Sequence, residues 1–145
     1  MSSGLETLRL HHVGFAVAEI GPAAELYVRR FGYHIASEVF HDPRQTAYVQ
    51  FLRLPGDTVF LELVAPDGPG SKLAGVVKKR GGGLNHLCYA VEDIEETIGR
   101  LRESDMVVLC EPVEAVAFRG RRIAWLMGVD HLPVELVERG VEGEL

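Results

Sequence analysis

The segment LHHVGFAVAEIGPAAELYVRRFGY, starting at Leu10, has a counterpart in LNHLCYAVEDIEETIGRLRESDM, starting at Leu84. Each opens with a strand-like run holding a histidine, passes an acidic turn and enters an amphipathic helical pattern. His12 and His86 lie 74 positions apart (86 − 12) and Glu62 and Glu135 lie 73 apart (135 − 62), so nearly one offset aligns both pairs. A repeat of this length restricts the chain to two copies of one supersecondary unit that share a core. Chance likeness between short apolar strands is the competing explanation, and the doubled His and Glu weigh against it.

Each copy reads as strand, helix and three strands. In the first copy the strands are expected near 9–17, 33–40, 45–54 and 57–65, with a helix near 21–31. Gly32 suits a left-handed end to that helix. The PGD at 55–57 predicts a hairpin turn. In the second copy strands are expected near 84–91, 106–111, 116–127 and 132–138, with a helix near 93–103. Asp93 is the expected N-cap, and Glu95 and Glu96 suit the first turn. Between the copies, Ser71 to Arg80 predicts a short helix ended by three glycines. The expected organisation is one domain over 1–145, with module one at about 8–66, a linker at about 67–83 and module two at about 84–138.

The stretches FLELVAP and LPVELVE each put a glutamate inside an otherwise apolar strand. Burying a lone carboxylate costs several kcal/mol unless something pairs with it. Alternation along a strand puts His12, Gly14 and Ala16 on one face and Val13, Phe15 and Val17 on the other. His86, Cys88 and Ala90 likewise lie opposite Leu87, Tyr89 and Val91. Glu62 and Glu135 also point away from their apolar neighbours. If the copies pair about a pseudo-twofold axis, His12, Glu62, His86 and Glu135 can converge. Two imidazoles and two carboxylates suit a divalent transition metal such as Zn, Ni, Co, Mn or Fe, without choosing among them. The alternative is two satisfied core histidines and two glutamates paired with arginines. No tight local ligand spacing such as HExxH or CxxC is present.

The formal net charge of -6 argues against general nucleic-acid binding. The expected protein is cytoplasmic, without a secretory leader or a membrane span. Cys88 and Cys110 are too few for a disulfide framework. His11 is expected on the helix side or at the strand end, in a structural role. Arg119 and Arg121 could hold a carboxylate or phosphate, or belong to a solvated hairpin. Trp125 could line the cavity or pack in the core.

At HHVGFAV, KLAGVVKKRGGGLNHLCYAVEDIE, FRGRRIAWLM and LPVELVE the chain resembles the vicinal oxygen chelate superfamily. The resemblance spans about residues 8 to 138 and is closest to methylmalonyl-CoA epimerases, with glyoxalase I a related alternative. It implies an α+β fold of two βαβββ modules forming a cup-shaped mixed sheet around a metal site. His12, Glu62, His86 and Glu135 fall on the metal-ligand positions. The implied enzyme is a metal-dependent isomerase that moves a proton beside a carbonyl or thioester. Glu135 is the first candidate for proton transfer and Glu62 the second. The implied partner is a small molecule, an acyl-CoA thioester in the epimerase case, and a homodimer is the expected assembly. A lactoylglutathione lyase and a non-catalytic antibiotic-binding protein are the alternatives. One departure stands out: where the epimerases carry a glutamate proposed as a base on the third strand, this chain has Gln50. A neutral amide cannot take that role, though it can hold a carbonyl or a water.

Overall fold

A computed structural model of the chain describes residues 7–141 and 143–145. Among them are nine strands and three α-helices, an α+β fold. The chain divides into two compact units. One is Val13–Asn85; the other joins the described residues up to His12 with His86–Leu145. The boundaries fall inside two strands, β1 (Arg9–Ala16) and β6 (Gly83–Val91).

In the Val13–Asn85 unit, α1 (Ile20–Phe31) follows β1 and ends at Gly32, whose φ of 77° is the left-handed conformation expected there. The Gly32 N–H donates to Val28 O at 3.1 Å, closing the last turn. The long strand expected near 33–40 is instead two short pieces, β2 (His34–Ile35) and β3 (Phe40–Asp42), which pair separately with β4 (Ala47–Arg53). β4 and β5 (Phe60–Pro66) form the expected antiparallel hairpin, in register from Ala47↔Pro66 to Arg53↔Phe60. Gly56 turns it with φ 85°. β1 lies beside β5, giving the order β2-β4-β5-β1.

Both faces of this hairpin are apolar. Leu52, Leu61 and Leu63 pack with Ile20 and Ala24 of α1. Ala47, Val49 and Val64 face the other way and pack with Ala16 and Leu73. The linker helix α2 (Ala74–Arg80) is followed by Gly81, Gly82 and Gly83 with φ of 76°, 126° and 129°.

In the other unit, β6 leads to α3 (Ile94–Glu103), where the Asp93 side chain accepts from the Glu96 N–H at 3.0 Å as the N-cap. β7 (Val107–Glu114), β8 (Arg122–Met127) and β9 (Pro133–Glu138) complete the order β6-β9-β8-β7. β6 and β9 run parallel, and the other two pairs are antiparallel. The first strand of each module thus neighbours its last, as the repeat requires. Ile94 and Ile98 of α3 pack on Val91, Ala124, Leu126 and Leu136.

The single strand expected over 116–127 is a correction. Val116–Phe118 form a turn of 3-10 helix, and β8 starts only at Arg122. Arg119 and Gly120 take φ of 55° and 84°, left-handed values that end an extended chain. Among the described residues, no helix is long and apolar enough to cross a membrane.

Candidate metal centre

Three strands of the second unit bring polar side chains to one buried place. Register pairs Glu135 of β9 with Cys88 of β6 on one side and with Trp125 of β8 on the other. Val134 and Leu136, one step away, turn to α3. His86 shares the Cys88 face because it lies two residues before it. His12 of β1 and His86 are 0% exposed, and Glu135 is 4% exposed. The His12 Nε2 and His86 Nε2 atoms are 3.1 Å apart. Glu135 Oε1 lies 3.2 Å from the first and 3.6 Å from the second.

Aromatic rings frame this cluster. Trp125 meets His86 edge-on with centroids 4.8 Å apart. Phe118 stacks on His12 at 6.1 Å and 20°. His11, expected on the helix side or strand end, is placed elsewhere: its Nδ1 is 2.8 Å from His12 Nδ1, and its ring meets Phe118 edge-on at 5.4 Å. The doubled histidine was the only signal in the sequence for His11. Phe118 opens the FRGRRIAWLM motif but was expected on a strand, whereas a turn of 3-10 helix delivers it.

The arrangement fits a metal ion. Glu135 Oε1 is buried and has no hydrogen-bond partner among the described residues, although two imidazole nitrogens stand close by. The two Nε2 atoms lie 3.1 Å apart, a distance at which one imidazole N–H can donate to the other ring, and the carboxylate oxygen stands beside both. A divalent cation at that point satisfies all three donors, and imidazole with carboxylate suits the first-row metals. His12, His86 and Glu135 offer one ligand atom each, all within 4.8 Å of one another.

The remaining expected site residues are placed as follows. Glu62 belongs to the Val13–Asn85 unit, where it is 3% exposed on β5 and pairs across the hairpin with Phe51. Gln50 pairs with Leu63, so it lies on the α1-covered face of the hairpin, opposite Glu62. Its Nε2 donates to Ser37 O at 3.1 Å.

Arg121 is turned to the protein itself, donating from Nε to Phe118 O at 3.2 Å and from Nη1 to Glu138 O at 3.0 Å. Burial holds its pKa below the usual arginine value. Arg119 is exposed. Arg122 bridges Glu138 Oε2 at 2.8 Å and Glu95 Oε1 at 2.6 Å. These bonds hold both carboxyls below the usual range and raise the guanidinium.

The chain is similar to known proteins in sequence and in fold. The family described as "Glyoxalase/Bleomycin resistance protein/Dioxygenase superfamily" matches residues 11–125. An ethylmalonyl-CoA/methylmalonyl-CoA epimerase of Cereibacter sphaeroides is 34% identical over 119 residues, covering 81% of this chain and 87% of that protein. The crystal structure of methylmalonyl-CoA epimerase from Mycobacterium tuberculosis is similar with a TM-score of 0.77 and 28% identity, over 91% of this chain and 88% of that one. A hypothetical protein from Bacillus halodurans is similar with a TM-score of 0.79 and 27% identity, over 96% and 99% of the two chains.

Proposed function

Because this chain belongs to the Glyoxalase/Bleomycin resistance protein/Dioxygenase superfamily, we propose that it is a metal-dependent epimerase moving a proton beside the thioester carbonyl of a methylmalonyl-CoA-like substrate. The observation that carries the metal part is the meeting of His12 Nε2, His86 Nε2 and Glu135 Oε1 within a buried cluster. The Cereibacter sphaeroides relative supports the choice of substrate class. The ligands are His12, His86 and Glu135. Glu62 is a further ligand candidate from its place in the repeat.

A bound divalent cation supplies positive charge that stabilises an enolate as it develops. The chain's own residues do the rest. The two imidazoles are packed by aromatic rings, His12 by Phe118 and His86 by Trp125. Glu135 keeps a second carboxylate oxygen, which can accept the proton removed from the carbon beside the thioester. Epimerisation then needs a proton returned to the opposite face of that carbon by a second acid. Burial keeps bulk water from the carboxylate and strengthens each charge interaction.

The test is solvent deuterium exchange by metal-loaded protein on methylmalonyl-CoA and, separately, on the glutathione hemithioacetal of methylglyoxal. Exchange into the thioester is expected. Turnover of the hemithioacetal alone would transfer the chain to the lyase type, and no exchange on either substrate would overturn the enzymatic reading.

A further inference from the structure

We propose that His11 is a positioning residue that fixes the tautomer of His12, so that His12 Nε2 presents its lone pair to a cation. The inference rests on the metal-centre reading above. A neutral imidazole has one N–H and one lone pair, and its two nitrogens divide them. His12 directs Nε2 at the His86 Nε2 and Glu135 Oε1 atoms, 3.1 and 3.2 Å away. For that nitrogen to bind a cation, the His12 proton must sit on Nδ1. The atom facing Nδ1 is His11 Nδ1, at 2.8 Å. Two protons cannot occupy that contact, so His11 accepts there and carries its own proton on Nε2.

His12 is 0% exposed and His11 7% exposed, so bulk water does not substitute for a lost partner. The two rings stand at 78° with centroids 5.1 Å apart, which aims the edge of one at the edge of the other. Phe118 touches both, stacked on His12 and edge-on to His11. A ligating histidine ordinarily donates its other N–H to a carboxylate, a carbonyl or a water. Here the acceptor is a neutral imidazole, which orients the ligand without adding negative charge beside the cation. His11 touches none of the reacting atoms in this scheme. It acts through His12 alone.

The test uses the full chain and two variants. His11→Phe keeps a ring but has no acceptor. His11→Asn places an amide oxygen close to where Nδ1 lies. Nitrogen-15 spectra of metal-free, histidine-labelled protein read the His12 tautomer, calorimetry with Zn(II) or Co(II) reads affinity, and thermal melting reports folding. The wild type is expected to show His12 protonated on Nδ1. His11→Phe should lose that signature and weaken metal binding about 10–100-fold, the usual effect of removing a ligand's partner. His11→Asn should recover most of the affinity. A wild-type His12 protonated on Nε2, or His11→Phe binding metal as tightly as wild type, would overturn the proposal. So would equal weakening in both variants, which would make His11 a packing residue. A wild type that takes up no metal would instead overturn the metal-centre reading, while the His12 tautomer would still decide the positioning.

Discussion

At the scale of the residue, two glutamates of β9 do different work. Glu135 stands against two imidazole nitrogens, whereas Glu138, three residues on, is bound to Arg122 through its side-chain oxygens. Glu135→Gln keeps an oxygen for a metal but removes the charge that accepts a proton. It should lower solvent exchange on methylmalonyl-CoA about 10²–10⁴-fold with metal still bound, as measured by deuterium incorporation and metal content together. Gln50→Ala should leave exchange close to wild type, because Gln50 lies on the α1-covered face and bonds to Ser37 O. A large loss in Gln50→Ala with normal folding would put the proton chemistry elsewhere. Glu138 supplies a pH test. Its pKa is held below the ordinary 4.5, chiefly by the Arg122 hydrogen bonds. A lowered carboxyl stabilises the fold above its unfolded pKa, and that stabilisation disappears as pH falls through the folded value. Denaturant midpoints should therefore fall with acidification below about pH 4.5 in wild type, and fall less steeply in Glu138→Gln.

At the scale of the element, the glycines between the modules are decisive. A Cβ on Gly82 would lie 2.0 Å from Ala16 O, a backbone atom of β1, and Gly82 also holds φ 126°. Neither the strand nor the turn can give way cheaply. Gly82→Ala should cost on the order of 1–3 kcal/mol or more, read as a lower denaturant midpoint. Gly99, on the exposed side of α3, is the control: nothing lies within 4 Å of its missing Cβ and its φ is not positive. Gly99→Ala should stabilise the protein by about 1 kcal/mol, since glycine is the poorer helix former. Equal effects of the two changes would contradict the close approach at Gly82.

At the scale of the whole molecule, each unit has apolar packing that excludes the candidate ligands. α1 closes on Leu52, Leu61 and Leu63, and α3 closes on Val91, Leu126 and Leu136. A chelator should therefore abolish exchange activity and lower the melting temperature while leaving far-ultraviolet dichroism unchanged. Ligand binding adds stability by mass action, but these cores do not require it. Loss of all regular structure on chelation would make the metal structural. Much of this was legible in the sequence, because a strand's period of two converts residue type directly into a face. The repeat, both long helices with Gly32 and Asp93 at their ends, and the small-residue faces bearing His12 and His86 followed from local pattern alone. Gln50 did not, because β4 is apolar on both faces: Val49 and Phe51 are as buried as Leu52, so only the pairing Phe51↔Glu62 shows which way Gln50 points. Neither did the contact between His11 and His12, since adjacent strand residues ordinarily point apart. Phe118 reaches both rings from more than a hundred residues along the chain. The sequence by itself determined the elements and their faces, through short-range sterics and the burial of apolar side chains. Only the tertiary structure decided strand register and which distant side chains meet, because those depend on packing that no local pattern encodes.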